Sequence, residues 1–459
     1  MSVQTTAVEE KEHIVEGSLW LTIWEMTWPI LLNMCIWAVG SFVDTWVAGR
    51  LNVDAQAAMG IGWQIRYLMM MLTMAMAVGT IAIVSRYYGA GDMENAIEAS
   101  KQALIFAGIF GVASVCIGYL SCKSVLHLLG ASTGVQRQGW DFLKFAIISN
   151  LPSTLFWISQ SIFRAIGAPR VATMTSVGIV LLIMGLDFVF CLSPLHMGIG
   201  GIGLAWIIGG CLGFAWNVVK LRDSEMAKCL HVFDSLRRGI SKEWFMRFMK
   251  IGLPGCMQDI AVIVSCFGLF YILSYTTQPT ISQAAWSVGW RIEEIVVFLP
   301  MCALNLAIAT IVGQNLGAHQ PGRSEDASWR MVYLGVIINI FVAIILCCFA
   351  SGIANLVSND AAVAAASADY LRVIAWTEPF VALSLILSGA MQGAGYTRLP
   401  MAITVMCFVI LRLSASWYFT VNLGMGNNGT WIAMALTSVL SGVLMTAVFK
   451  YGRWKQQMV

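Results

Sequence analysis

The sequence predicts an all-α polytopic membrane protein, with twelve transmembrane helices in two six-helix lobes related by a parallel internal repeat. Three observations predict it. Of the 459 residues, 58% are hydrophobic and only 11% charged, with a mean hydropathy of +0.77. A helix needs about 20 apolar residues to cross a bilayer, and the chain holds many such runs. The widest polar break, Arg222–Lys250, falls near the middle, and short anchors of the first half recur in order in the second.

Polar breaks place the spans near 20–47, 56–86, 98–121, 140–163, 171–193, 199–221, 245–275, 283–312, 330–352, 365–391, 399–422 and 429–450. Residues 1–19 form an N-terminal segment, 20–221 the first lobe, 222–244 a connecting loop, 245–450 the second lobe and 451–459 a tail. The N-terminus is acidic and polar, unlike a cleavable signal peptide. The central break holds seven Lys/Arg against four Asp/Glu, which marks it as cytoplasmic by the positive-inside rule. Counting outward from it puts both termini inside. Arg86, Lys101, Arg164, Arg170 and Arg398 agree, whereas Arg50, Lys123 and Arg137 fall on the other side. The outer loops 193–199, 276–282 and 423–428 carry no Lys or Arg, and Asn428-Gly429-Thr430 is a glycosylation sequon if the host glycosylates.

The repeat follows from ordered anchors. A shift of 228 carries Tyr88-Gly89-Ala90-Gly91-Asp92 onto Leu316-Gly317-Ala318-His319-Gln320, and Gly167-Ala168-Pro169-Arg170 onto Gly395-Tyr396-Thr397-Arg398. The same shift carries Gly201 onto Gly429. A shift of 225 carries Pro29 onto Pro254, and 227 carries Gly62-Trp63-Gln64-Ile65 onto Gly289-Trp290-Arg291-Ile292. Six spans per half give both copies the same orientation, so the repeat axis runs along the membrane normal.

Charges inside spans are costly and face partners or water-filled cavities. Asp44 follows 18 uncharged residues of the first span, and Pro29 removes a backbone donor near that span's other end. Taken alone, Asp44 is either an ion site or a solvated cap at the outer end of its helix. Asp187 is the second such acid, late in the fifth span. Two carboxylates on one cavity make one of them easy to protonate, as a proton-coupled carrier requires. In the second half the candidates are Asp259, Arg291, Glu293, Glu294, Glu378 and Arg412. They form either a substrate or coupling network or fixed ion pairs between helices. Arg412 stands between uncharged runs of 13 and 37 residues, and Arg66 occupies the repeat position of Glu293.

Several functions are excluded by what is missing. There is no GxxxxGK[ST] loop for ATP phosphates, no HExxH motif, no Gly-x-Ser-x-Gly elbow and no basic tract for nucleic acid. The twelve cysteines form no CxxC pair and read as small buried hydrophobes. The 26 methionines read as core filler, and many of the 18 tryptophans suit interfacial belts. No metal site, cofactor or enzymatic constellation is expected, and a secondary carrier fits best.

The two halves together resemble the multidrug and toxic compound extrusion (MATE) family. The segments that carry the resemblance are Pro29 with Phe42-Val43-Asp44-Thr45 and Val47-Ala48-Gly49, Tyr88–Asp92, Leu186-Asp187, and Gly201-Ile202-Gly203-Leu204-Ala205. In the second half they are Gly252-Leu253-Pro254, Val312–Ala318, Gln392–Arg398 and Leu411-Arg412-Leu413. The resemblance implies an antiporter that expels organic cations or amphipathic drugs in exchange for H⁺ or Na⁺, with Asp44 as the coupling acid, Asp187 as its partner and Pro29 as a hinge. The sequence departs from the family at Ile183, where an asparagine is common. It departs also at Val262 and Val381, where one subgroup carries acids.

The resulting expectation is a monomeric exporter in the plasma membrane, a bacterial inner membrane, with both termini cytoplasmic. Its partners are a small amphipathic or cationic substrate, H⁺ or Na⁺, and the lipid bilayer. A flippase for a lipid or lipid-linked substrate is the nearest rival, and a non-transporting receptor or scaffold is the rival of another class.

Overall fold

Two proline-made breaks set the architecture. The fourth span consists of Gly134–Ile148 and Asn150–Ala165, bent by 45°, and the tenth of Ala361–Ala375 and Glu378–Gly393, bent by 60°. A proline ring clashes with the carbonyl four residues earlier. Pro152 reaches back to Ile148 and Pro379 to Ala375, the last residues of the two preceding helices. Each pair counts as one span, as expected near 140–163 and 365–391, with the bend as the addition. Ten further helices in the computed structural model are each long and apolar enough to cross a membrane by themselves, which makes twelve spans among the described residues. Those residues are 14–128, 133–192, 197–231 and 241–457, and no strand occurs among them. Parts of the expected N-terminal segment (1–13), outer loop (193–196), connecting loop (232–240) and tail (458–459) lie outside the described residues, as does the side chain of Lys123.

The repeat is written in the backbone as well as in the residues. Gly91 and His319, 228 apart, both adopt left-handed φ, +76° and +59°, and Gly167 and Gly395 do so at +90° and +76°. Each turn closes with the same wide hydrogen bond of a helix C-terminus. Asp92 N–H donates to the Tyr87 carbonyl and Gln320 N–H to that of Asn315; Ala168 N–H donates to Phe163 and Tyr396 N–H to Met391.

Wide π turns interrupt the helices beside three of the membrane charges. Phe188–Leu192 follows Asp187, Glu294–Phe298 follows Glu293, and Val405–Leu411 precedes Arg412. Such turns concentrate at functional sites.

The chain forms two compact units: Met1–Leu253 with Gly317–His319, and Pro254–Leu316 with Gln320–Val459. The division falls at Pro254, inside the seventh span Lys242–Leu273. In the first unit Val47, Ala48, Phe142 and Trp206 belong to one buried core, and in the second Leu269, Tyr370, Leu371 and Trp431 do. Helices associate in lipid through small residues that admit close approach. Gly62 packs on the Phe142 ring, and its repeat mate Gly289 packs on the Tyr370 ring; a Cβ at either glycine would collide with the ring. Large apolar side chains such as Phe267, Phe341 and Leu356 stay exposed, as a lipid-facing surface requires.

Candidate functional site

In the first unit the first, second, fifth and sixth spans and the break of the fourth converge on two acids. Asp44 lies two turns inside the helix Leu19–Leu51 and is 3% exposed, so it is not a solvated cap. Asp187 ends the helix Pro169–Asp187 and is 0% exposed. The two carboxylates are direct neighbours. Trp206 Nε1 donates to Asp44 Oδ2 at 3.2 Å. The remaining Asp44 oxygen and both Asp187 oxygens have no partner among the described residues.

A cation stands beside them. The Arg66 guanidinium lies 4.0 Å over the Trp206 ring and donates to Ser149 Oγ at 2.9 Å, while its Nε has no partner. Ser149 is the residue at the break of the fourth span, so the bend delivers the hydroxyl that holds the arginine. Trp206 therefore touches both charges, the acid through its N–H and the arginine through its face. A cavity of about 40 Å³ adjoins them, lined by Asp44, Arg66, Trp37, Trp63, Trp157 and Trp206 among others. At roughly 10–15 Å³ per water position it has room for about three waters. Ile183 puts an apolar side chain on its wall, where the family commonly has an amide. Pro29 is buried, and its carbonyl accepts from Thr173 Oγ1 at 2.7 Å on the fifth span, which ties the expected hinge to the helix that carries Asp187.

The second unit brings some of the expected charges together and not others. Glu293, Glu378 and Arg412 are all buried near one another. Tyr370 O–H donates to Glu293 Oε2. Arg412 donates through Nε to Thr437 Oγ1 at 2.9 Å and through Nη2 to Ser438 Oγ at 2.8 Å, and it stacks on Phe408. Arg291 and Glu294 instead pair with each other at 2.7 Å on an exposed face. Asp259 is exposed.

Sequence reasoning missed Trp206, Ser149 and Tyr370. Trp206 follows directly on Gly201–Ala205, a segment of the resemblance, which is the signal that points to it. Arg66 was visible only as the repeat mate of Glu293.

The MatE family model matches residues 29–189 and 257–418, one match in each half and again 228 to 229 residues apart. The chain belongs to the MATE family. It is a multi-pass membrane transporter rather than an enzyme. This MATE protein is 18% identical over 443 residues to the "Uncharacterized transporter YisQ" of Bacillus subtilis, covering 95% of this chain and 94% of the relative. It is 26% identical over 435 residues to the "Probable multidrug resistance protein NorM" of Acinetobacter baylyi, covering 92% and 94%. The MATE transporter VcmN of Vibrio cholerae, solved in a bent form, shares the fold with a TM-score of 0.87 at 19% identity, covering 99% of this chain and 98% of that one.

Proposed function

We propose that this MATE protein exports amphipathic organic cations in antiport with H⁺, with Asp44 and Asp187 as the coupling pair. The observation that carries the reading is the pair itself. Two neighbouring buried carboxylates offer three unpartnered oxygens, and Asp44 lines a small tryptophan-rich cavity. Like charges so close favour a shared proton, and proton uptake changes what the cavity attracts.

With the pair ionised, two negative charges outweigh the one on Arg66, and the tryptophan faces add cation–π attraction for a substrate. With one proton shared by the pair, Arg66 balances the remaining negative charge and the electrostatic attraction for a cation is lost. Proton and substrate then compete, and each stabilises a different access state through its differential affinity. A drug-sized ligand needs a site of roughly 300–1,000 Å³. The cavity of about 40 Å³ is too small for such a ligand. Opening it requires the first span to move. Pro29 is the hinge we assign, since its missing N–H leaves the helix one ladder bond short there.

The name of the NorM relative supports a drug as cargo. The predominance of acid at the site favours a cationic substrate over the phosphate-bearing cargo of a lipid flippase. The lysine- and arginine-rich central loop supports cytoplasmic termini in a bacterial inner membrane. We take the transporter to act as a monomer.

The test is efflux of a fluorescent organic cation from proteoliposomes under an imposed pH gradient or an imposed Na⁺ gradient, wild type beside Asp44→Asn. Flux driven by the pH gradient and abolished in the folded variant is expected. Normal export by the purified variant refutes coupling at Asp44, and flux driven only by Na⁺ refutes the choice of ion.

A further inference from the structure

Three polar contacts in register tie the first span to the fifth. Glu25 pairs with Arg170 at 3.1 Å. The Pro29 carbonyl accepts from Thr173 Oγ1 at 2.7 Å, and Asn33 Nδ2 donates to Ser176 Oγ at 2.8 Å. The contacts recur every four residues on the first helix and every three on the other, about one turn each. Asn33 and Ser176 are buried. Further along the first span, Ser41 and Thr45 bond the carbonyls of Ala38 and Ser41 on their own helix. Among the described residues, the next side-chain hydrogen bond to another helix is the one at Asp44.

The second unit builds its copy of this helix pair without these ties. Glu25, Pro29 and Asn33 become Lys250, Pro254 and Gln258, and Arg170, Thr173 and Ser176 become Arg398, Met401 and Thr404, at shifts of 225 and 228. Lys250 and Arg398 are like charges, and Met401 has no hydroxyl. Gln258 accepts instead from Ser388 of the tenth span, and Thr404 bonds the Pro400 carbonyl of its own helix. The ties are therefore a feature of the unit that holds Asp44 and Asp187, and the repeated scaffold is built without them.

The first span passes through Pro29 as one continuous helix, Leu19–Leu51. A bend at Pro29 away from the fifth span leaves Glu25–Arg170 on the fixed side and the Thr173 bond at the pivot, and it carries Asn33 with the moving side. At about 1.5 Å per residue Asn33 stands about 6 Å beyond the pivot, so a bend of about 10° displaces it by about 1 Å. That takes its 2.8 Å bond past the roughly 3.2 Å limit of an N–H···O contact. The same bend moves Asp44 by about 4 Å and parts it from Asp187.

We propose that the Asn33–Ser176 hydrogen bond is a latch on the moving half of the first span, and that it sets the pH at which the span is released. This rests on the proton-coupled reading with Pro29 as the hinge. Asn33 and Ser176 are positioning residues, each eleven residues before the acid of its own helix. A proton shared by Asp44 and Asp187 holds the two spans together at their far ends, and its loss leaves two like charges that push apart. The charged or titratable groups facing the acids are Arg66 on the second span and the Cys191 thiol in the turn after the fifth. Trp206 on the sixth is neutral. The latch carries no ionisable group, so it holds equally at every pH. With the latch intact, release needs the repulsion of a fully ionised pair. Without it, release begins while more of the pair is still protonated, so the midpoint falls to lower pH. One buried hydrogen bond is worth roughly a 2- to 10-fold change in the ratio of released to held span, which one proton converts to about 0.3–1 pH unit.

The test is double electron–electron resonance on the full-length chain in lipid nanodiscs. Nitroxide-bearing non-natural residues replace Phe42 and Leu120, both exposed, which leaves the native cysteines in place. Their separation follows the moving half of the first span against the third through a pH titration. Ser176→Ala is expected to move the midpoint of the wild-type change to lower pH by about 0.3–1 unit. Asn33→Leu should do the same, with no further shift in the double variant. Thr173→Val removes the bond at the pivot, which the bend leaves intact, so the melting temperature should fall while the midpoint stays in place. A monodisperse elution profile checks the fold of each variant. A wild-type distance that ignores pH overturns the hinge and the latch with it. A wild-type response that Ser176→Ala and Asn33→Leu both leave unmoved overturns the latch alone, as does a shift to higher pH or an equal shift from Thr173→Val. Coupling at Asp44 is tested separately by the efflux comparison.

Discussion

Replacing Arg66 with glutamine removes the positive charge beside the Asp44–Asp187 pair and should tighten the binding of a cationic substrate. The guanidinium sits 4.0 Å above the Trp206 ring, and the edge of that ring bonds Asp44 at 3.2 Å. The two charges therefore lie on the order of 6–9 Å apart, which at an effective dielectric of about 20 is worth about 2–3 kcal/mol. A cation seated at the acids feels a repulsion of that size, and its loss corresponds to a gain of roughly 20- to 100-fold in affinity. Glutamine keeps an amide donor for Ser149, so the break of the fourth span stays supported. The assay is equilibrium binding of a fluorescent lipophilic cation to the purified protein at alkaline pH, where protons compete least. Arg66→Lys preserves the charge and should stay within about threefold of wild type. Unchanged or weaker binding by Arg66→Gln, in folded protein, would refute the assignment of the cation site to this cavity.

Other perturbations separate buried groups from exposed ones. Tyr370→Phe keeps the ring against Trp431 and removes the donor to Glu293, a loss of about 1.5–3 kcal/mol for a buried bond to a charged acceptor; thermal unfolding should move down by several degrees, and an unmoved melt would refute the bond. Arg291→Ala breaks only the exposed pair with Glu294, worth about 0–1 kcal/mol, so the same melt should barely move. Gly289→Ala drives a methyl into the Tyr370 ring at a cost of about 1–3 kcal/mol; wild-type yield and melting temperature would contradict that packing. Burial pushes the Cys229 thiol, in the short helix Glu225–Leu230 after the sixth span, up to about 12. Thiolate is the reactive form, so a maleimide near neutral pH should leave Cys229 unmodified until the protein is denatured. The sign for stability follows: the unfolded thiol titrates near 8.5, so the folded state loses ground as pH rises above that value and keeps losing it toward 12.

The spans and the repeat were legible because each is a local or periodic property. Apolar length marks a helix, and the constant shift marks the copy. Asp44 and Asp187 were legible because an acid inside an apolar run has few reasons to be there. Their partners were not. Trp206 meets Asp44 across 162 positions, and Tyr370 meets Glu293 across 77, and neither aromatic differs in pattern from the belt and core residues around it. Arg291 and Glu294 were grouped with Glu293 because they adjoin it in sequence. Helical geometry separates them, since positions three apart share a face while the residue between turns away. The breaks at Pro152 and Pro379 were hidden by the apolar runs that continue through them.

The π turns beside Asp187, Glu293 and Arg412 carry a mechanical consequence. An α-helix advances about 100° per residue, and a wide turn absorbs one residue more than its neighbours. Each such turn is a slip joint in an otherwise rigid rod. Tightening it to an α turn would release one residue of slack and rotate everything beyond it by about that angle, with the ends of the span left at their depths in the bilayer. Asp187, Glu293 and Arg412 stand at the joints where a change of rotational phase begins.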